Sequence, residues 1–558
     1  MKRTPGERLA DRLWTRYAHL PAATSDYTVR RGVRIPMRDG VGLLADVLLP
    51  KGPASGTVLV TSPYGVNTVG SSMTGGLFAR RGYRVVLVRC RGTFGSGGTF
   101  EPFMREVDDA ADIVAWMREQ PWFDGRFATH GYSYLGFTQW ALLMDPPPEL
   151  TTAIVACAPY DLVAAVHPGG AFLLSTFLEW SFVTTRQEQP ILPRMASILA
   201  ARGRIRRALA ALPLADAAKE LLNGKAPWYG EWISRRDLGD PWWEPADLTE
   251  ALDRVRVPVL LQGGWQDGFL RQTTAAHARL TARGTGVALT IGPWTHAEGG
   301  AAGARILLPE ALAWLDEHLA GSSTGHRAEP VKVFVTGAGW RNLPAWPPPT
   351  VEHTLHPGAD RQLTPQPAGP TAVDTFTYDP TDPTPTYGGA FVTQVSPGIT
   401  AGYVDDSALA SRSDVLAFTS DPLATPLEVL GSPVAEMDHR SDNPFADLFV
   451  RVSEVDARGR SRNVTDGLVR LGPSTAAGVV RVELEPVAHR FARGSQIRLL
   501  VAGGSHPRWE RNLGTGDDPA TSTKLLPSHR TIHLSNSRLT LPVADPRATG
   551  QGPQIRGR

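Results

Sequence analysis

The feature that most constrains this chain is a series of short, nearly continuous apolar runs separated by helix-patterned stretches. GTVLVTS (56–62), YRVVLVR (83–89), RFATHG (126–131) and TAIVACA (152–158) come first. PVLLQGG (258–264) and GVALTIG (286–292) follow only after a long gap. Strands that are apolar on both faces belong in a parallel sheet covered by helices on each side. Helical periodicity is read at Val107–Glu119, Tyr134–Met144, Leu270–Ala282 and Pro309–Leu319. The alternation predicts an α/β domain.

The gap has another texture. Its runs LLSTFLEWSF, ILPRMASILAARGRIRRALAALPL and ADAAKELL are helical in period and poor in β-branched residues. A helical insertion between two strands of one sheet, a cap, is the natural reading for 159–246. Its basic residues Arg202, Arg204, Arg206 and Arg207 are read as a solvated helix face. After Gly321, Pro-rich stretches alternate with VKVFVTG, FADLFVRVSEV, GVVRVELEPV and SQIRLLVAG, which predicts a C-terminal β-sandwich, a jelly roll. The expected division is 1–158 and 247–322 for the two parts of an α/β-hydrolase domain, 159–246 for the cap and 323–558 for the jelly roll. The tail after Ala544 is expected to fray.

Composition narrows the function. Lys+Arg 57 against Asp+Glu 55 gives a net charge of +2, too little to recruit nucleic acid. The two cysteines, Cys90 and Cys157, allow neither a disulfide framework nor a Cys-x-x-Cys site. The first twenty residues are charged and amphipathic, with Leu9, Leu13, Trp14, Tyr17 and Leu20 at roughly helical spacing and no apolar signal-peptide core. No stretch approaches the ~18–20 apolar residues that span a bilayer. A cytoplasmic protein without a membrane partner is expected, and homo-oligomer formation is left open.

The sharpest chemical signal is THGYSYLGF (129–137), where a strand runs through Gly131-Tyr132-Ser133-Tyr134 directly into a helix. A tight strand-to-helix turn projects a nucleophilic serine from the sheet edge and aims the Tyr134 amide at a developing oxyanion. Gly136 falls one place later than in the usual G-x-S-x-G elbow, and Gly-x-Ser in a turn is common. The downstream order decides the reading. Asp267 follows PVLLQGG in GGWQDGF, and His296 follows GVALTIG in GPWTHAE. Ser, Asp and His thus occur in α/β-hydrolase order, each at the carboxyl end of a strand, where open α/β sheets bind ligands.

These residues carry a family resemblance. GYSYLG, GGWQDGF and GPWTH, with IPMRDGVGLLADVLLP (35–50) and SPYG (62–65), resemble the cocaine esterase / X-Pro dipeptidyl-peptidase group (CocE/NonD) of serine hydrolases, over nearly the whole chain. The resemblance implies an α/β-hydrolase domain, a helical cap and a C-terminal galactose-binding-like jelly roll. It also implies that Tyr64 donates its hydroxyl to the oxyanion beside the Tyr134 amide. One departure stands out: the family's D-x-R-G is here Arg89-Cys90-Arg91-Gly92, so Arg91 is expected to lack its usual acidic partner.

Other motifs reduce to structural readings. GTFGSGG (92–98) lacks dinucleotide-loop spacing, and Glu106, Asp108, Asp109 and Asp112 suit a helix start better than a metal site. No cofactor and no metal are expected. The expected activity is cleavage of a small-molecule ester or amide by Ser133, His296 and Asp267. Gly268-Phe269-Leu270 is apolar, where relatives that hydrolyse α-amino acid esters carry acids. This loop, Trp265 and the cap residues Phe172 and Trp180 are therefore expected to bind an apolar or aromatic acyl group. The alternatives are an X-Pro dipeptidyl-peptidase or α-amino-acid ester hydrolase, with Glu179 or Glu188 as the ammonium anchor, and a non-catalytic jelly-roll scaffold.

Overall fold

The computed structural model describes residues 5–65, 75–322, 327–393, 395, 398–545 and 547, so the expected fraying after Ala544 falls almost wholly outside the described residues. Ten strands form the first sheet: β1 (Tyr27–Pro36), β2 (Gly42–Pro50), β3 (Thr57–Ser62), β4 (Arg84–Arg89), β5 (Phe127–Tyr132), β6 (Leu150–Ala156), β7 (Val259–Gln266), β8 (Val287–Thr295), β9 (Val331–Val335) and β10 (Gly339–Leu343). Their spatial order is β1-β2-β4-β3-β5-β6-β7-β8-β9-β10. From β4 to β9 all neighbours are parallel, while β1 and β2 at one end and β10 at the other join antiparallel. β7 is buried along its whole length, and β3 and β4 nearly so. Burial on both faces explains why these strands read as apolar runs without alternation.

VKVFVTG, grouped by sequence with the β-sandwich, pairs in parallel with β8 and extends the first sheet. Its alternating burial is that of a half-covered strand, and alternation does not encode which sheet a strand will join.

Helices α1 (Pro5–Tyr17), α2 (Glu106–Arg118) and α3 (Tyr134–Leu142) precede the cap. On α1, Leu9 and Leu13 remain exposed, while Trp14 stacks on Tyr17. The cap between β6 and β7 is helical as expected, with α4 (Leu174–Thr184), α5 (Ile191–Ala210), α6 (Leu214–Leu222) and α7 (Pro227–Ser234). Arg202, Arg204, Arg206 and Arg207 of α5 face solvent. Helices α8 (Leu270–Ala282) and α9 (Ala304–His318) complete the α/β domain. α4 is buried almost throughout, and its Phe177, Leu178 and Phe182 join the same apolar core as Phe137 and Trp140 of α3. The cap is therefore fused to the hydrolase core rather than laid over it.

The C-terminal part is antiparallel. An eight-stranded sheet and a four-stranded sheet share one core, to which Met437 and Ile532 contribute from the first and Val450 and Leu499 from the second.

Candidate active site

The nucleophile turn is built by close approach. Ser133 sits between β5 and α3 with φ 63° and ψ −127°, a backbone conformation that a residue with a side chain rarely adopts. Its amide donates to Ala156 O at 2.9 Å, and its carbonyl accepts from Gly136 N at 2.8 Å. A Cβ on Gly131 would lie 2.3 Å from Leu135 O, and one on Gly136 would lie 2.3 Å from the Cβ of Ala158. The displaced glycine is thus explained: position 136 is where the new helix passes the end of the neighbouring strand.

Asp267 and His296 arrive from the next two strands. Asp267 follows β7, and its Oδ1 accepts from Phe269 N at 2.7 Å. His296 opens a one-turn helix, His296–Gly299, whose start is closed by a reciprocal capping box between Thr295 and Glu298. The Tyr132 hydroxyl donates to His296 O at 2.5 Å and ties this turn back to the nucleophile strand. His296 Nε2 lies 2.9 Å from Ser133 Oγ, and Nδ1 lies 3.3 and 3.2 Å from the two Asp267 oxygens. Asp267 is 1% exposed and His296 8%, so the carboxylate acts in a low-dielectric site. This is the hydrogen-bonded arrangement that a serine nucleophile, its base and an orienting acid require.

Cys157, which the sequence reading did not place, flanks this array. It has φ 47°, and its Sγ, an Asp267 oxygen and a His296 nitrogen lie within 4.8 Å of one another. A thiophilic cation uses such donors, but Asp267 already engages Nδ1, and burial, reinforced by the Asp267 charge, keeps the thiol protonated. The strand-to-loop position of Cys157 carried no sequence signal beyond its residue type.

Tyr64 reaches the nucleophile from the loop after β3. It keeps 36% of its surface exposed, yet its hydroxyl end is enclosed by Ser133 and Trp180, and desolvation there pushes its pKa up to about 12. Tyr134 sends its ring inward. Its hydroxyl donates to Glu106 and accepts from Phe103 N at 2.9 Å. Burial pushes the Glu106 carboxyl up to about 7.

A cavity of about 20 Å³ remains over Ser133. Its walls are mostly aromatic, from Phe103, Phe177, Trp180 and Phe269, completed by Pro159, Thr176 and Val392 beside Tyr64 and Tyr134. Of the residues expected to bind the acyl group, Phe269 and Trp180 line this cavity and three do not. Trp265 is buried with its indole donating to Phe334 O at 2.6 Å. Leu270 turns into the core at the start of α8, and Phe172 is buried against Phe177 and Tyr229. The reason is geometric: residues adjacent in sequence at a helix start diverge by about 100° around the axis, so only one of Phe269 and Leu270 faces Ser133. Phe103, Pro159, Thr176 and Val392 were missed because three of them stand in loops brought together only by the fold.

The cap acids lie elsewhere. Glu179 accepts from Val395 N, and Glu188 accepts from Phe94 N at 2.7 Å. Among the described residues, none lining the cavity is acidic. The acids at the start of α2 serve ion pairs, with Asp112 and Asp108 on Arg38 and Asp109 on Arg91. Arg91 is therefore not left without a partner, as the change at position 89 had suggested: it bonds Asp109 at 2.5 Å and Asp39 at 2.6 Å. Arg89 instead reaches across to Asp46 of β2 at 2.9 Å.

Comparison with known proteins places the chain among serine hydrolases. Residues 39–298 match the family model of the X-Pro dipeptidyl-peptidase (S15 family), and residues 324–540 match that of the X-Pro dipeptidyl-peptidase C-terminal non-catalytic domain. The chain is 30% identical over 549 residues to a cocaine esterase of Rhodococcus sp. (strain MB1 Bresler), covering 88% of this chain and 93% of that one. Among solved structures, an α-amino acid ester hydrolase shares the fold with a TM-score of 0.80 at 21% identity, over 94% of this chain and 98% of that one. An aminopeptidase from the marine sediment archaeon Thaumarchaeota archaeon does so with a TM-score of 0.78 at 21% identity, over 93% and 97%. With both halves of the chain matched and the serine at the elbow in reach of a histidine, the protein belongs to the cocaine esterase / X-Pro dipeptidyl-peptidase (CocE/NonD) family of serine hydrolases.

Proposed function

We propose that this serine hydrolase cleaves carboxylic esters with an apolar or aromatic acyl group through an acyl-enzyme on Ser133. His296 Nε2 takes the Ser133 proton as Oγ attacks the carbonyl carbon, and Asp267 holds the imidazole and balances its positive charge. The Tyr64 hydroxyl and the Tyr134 amide stabilise the tetrahedral oxyanion. The imidazolium then protonates the leaving alcohol. Water, deprotonated by the same nitrogen, releases the acid and restores the serine.

The observation that carries the substrate choice is the cavity wall: six aromatic rings and, among the described residues, no acidic side chain lining it. A free α-ammonium group placed there loses its hydration and gains no partner, at a cost of several kcal/mol. An apolar acyl group gains about 1.5–3 kcal/mol on burial. A cavity of about 20 Å³ holds about one water, so either acyl group enters only as wall side chains such as Phe177 or Trp180 shift, and the apolar wall sets the preference.

The peptidase reading is supported by the names of the two matching family models, and it needs an ammonium anchor, whereas Glu179 and Glu188 accept from the backbone amides of Val395 and Phe94. A panel of p-nitrophenyl butyrate, p-nitrophenyl benzoate, an alanine ester and Ala-Pro-p-nitroanilide tests the choice. The butyrate and the benzoate are expected to give higher kcat/KM than the alanine ester and the anilide. An Ala-Pro-p-nitroanilide value at or above that of the butyrate promotes the peptidase reading. A fluorophosphonate probe is expected to label the wild type and not Ser133→Ala, and unchanged labelling rejects Ser133 as nucleophile.

A further inference from the structure

The cap contributes one hydrogen bond to the catalytic centre itself. Trp180 Nε1, on α4, donates to Tyr64 Oη at 3.1 Å. The Trp180 ring also stacks on the Tyr134 ring, with centroids 6.4 Å apart and planes 5° apart, while Tyr134 meets Tyr64 edge-on at 6.3 Å and 77°. One cap side chain thus touches both residues assigned to the oxyanion hole. Trp180 is 8% exposed, and among the described residues its indole N–H donates to the Tyr64 hydroxyl.

We propose that Trp180 is a positioning residue for catalysis, which orients the Tyr64 hydroxyl toward the oxyanion and so makes the cap part of the oxyanion hole. An indole N–H can only donate, so Tyr64 Oη must accept. A phenol has one proton that swings about the C–O bond. With Trp180 occupying a lone-pair direction, that proton is turned away from the cap and toward Ser133, beside which the oxyanion forms. Accepting a bond also polarises the hydroxyl and strengthens the bond it donates. Preorganisation of this kind is paid before the reaction, because the donor need not reorient as charge develops. A pocket wall alone requires only an apolar surface, which phenylalanine provides equally.

This inference rests on Tyr64 acting as an oxyanion donor, and a double-mutant cycle on kcat separates the two claims. Tyr64→Phe is expected to lower kcat by about 10²–10³-fold. Trp180→Phe is expected to lower kcat by about 5–10-fold when Tyr64 is present, the range of one lost hydrogen bond. In the Tyr64→Phe background the same change should cost less than about twofold, since no hydroxyl is left to orient. Replacing Trp180 by 3-benzothienylalanine removes the N–H and keeps the bicyclic shape, so it should reproduce the kcat loss even if the phenylalanine variant folds poorly. Equal losses in both backgrounds, or full activity with benzothienylalanine, overturn the positioning role while leaving Tyr64 in place. No loss in Tyr64→Phe overturns both.

Discussion

Glu510 of the C-terminal domain grips Arg236 of the cap with both oxygens, at 2.6 and 2.7 Å. The same carboxylate accepts from Arg470 of the sandwich and, at 3.3 Å, from Phe172 N just before α4. Its side chain has no exposed surface. The sandwich is therefore tied to the cap and to the start of the helix that carries Trp180.

Glu510→Gln should cost about 3–5 kcal/mol, because two arginines then face a neutral amide in a desolvated site. The two guanidinium groups hold the Glu510 carboxyl at about 2 against desolvation, the largest influence and an opposing one. A depressed carboxyl stabilises the fold above its ordinary value near 4.5, and the contribution, about 3 kcal/mol, is lost as pH falls from there through about 2. Denaturant midpoints at pH 7 and pH 3 should differ less in the variant than in the wild type.

Glu106 has the opposite sign. Its carboxyl is raised to about 7 by burial, so between pH 4.5 and 7 the folded state binds more protons than the unfolded one. Stability from this group falls as pH rises through that window, by at most about 3 kcal/mol. Glu106→Gln keeps an acceptor for the Tyr134 hydroxyl and removes the titration. The stability difference between variant and wild type should therefore move in the variant's favour from pH 5 to pH 8, and a difference independent of pH refutes the burial argument.

Arg89 and Asp46 make a third case. Asp46 is fully buried and is held by Arg89 at 2.9 Å and Arg31 at 3.2 Å. Arg89→Met leaves the carboxylate with Arg31 and the Gly32 amide as partners and should cost about 3 kcal/mol. Adding Asp46→Leu should recover part of it, since the buried charge is gone while Arg31 and Gly32 N lose an acceptor. Thermal unfolding of the single and double variants checks the recovery.

Asp267→Asn preserves the shape at the triad while presenting an amide to His296 Nδ1. The imidazole then loses the acceptor that sets its tautomer, and kcat should fall about 10⁴-fold. Circular dichroism and melting temperature should stay near wild type. A loss below tenfold removes Asp267 from the orienting role.

The order of strands and the three residues at their ends were legible in the sequence because each depends on local chemistry. Apolar runs buried on both faces announce β3 to β8, turn glycines announce the elbow, and Asp267 and His296 follow their strands directly. α8 even begins and ends where its periodicity predicts, at Leu270 and Ala282. What the chain could not announce was which distant segments meet. VKVFVTG has the alternation of any half-buried strand, and only space beside β8 assigns it to the first sheet. Arg91 exchanged one acid for two others, Asp39 and Asp109, since an ion pair needs proximity rather than a motif. Trp265 and Leu270 look as apolar as Phe269, but side-chain direction around a turn turned only Phe269 toward Ser133. The sequence by itself determined the candidate chemistry, because Ser133, Asp267 and His296 are residue types that stand at strand ends. The tertiary structure alone decided the pocket and the bond from Trp180 to Tyr64, because both are made by side chains far apart along the chain whose meeting depends on how the cap packs.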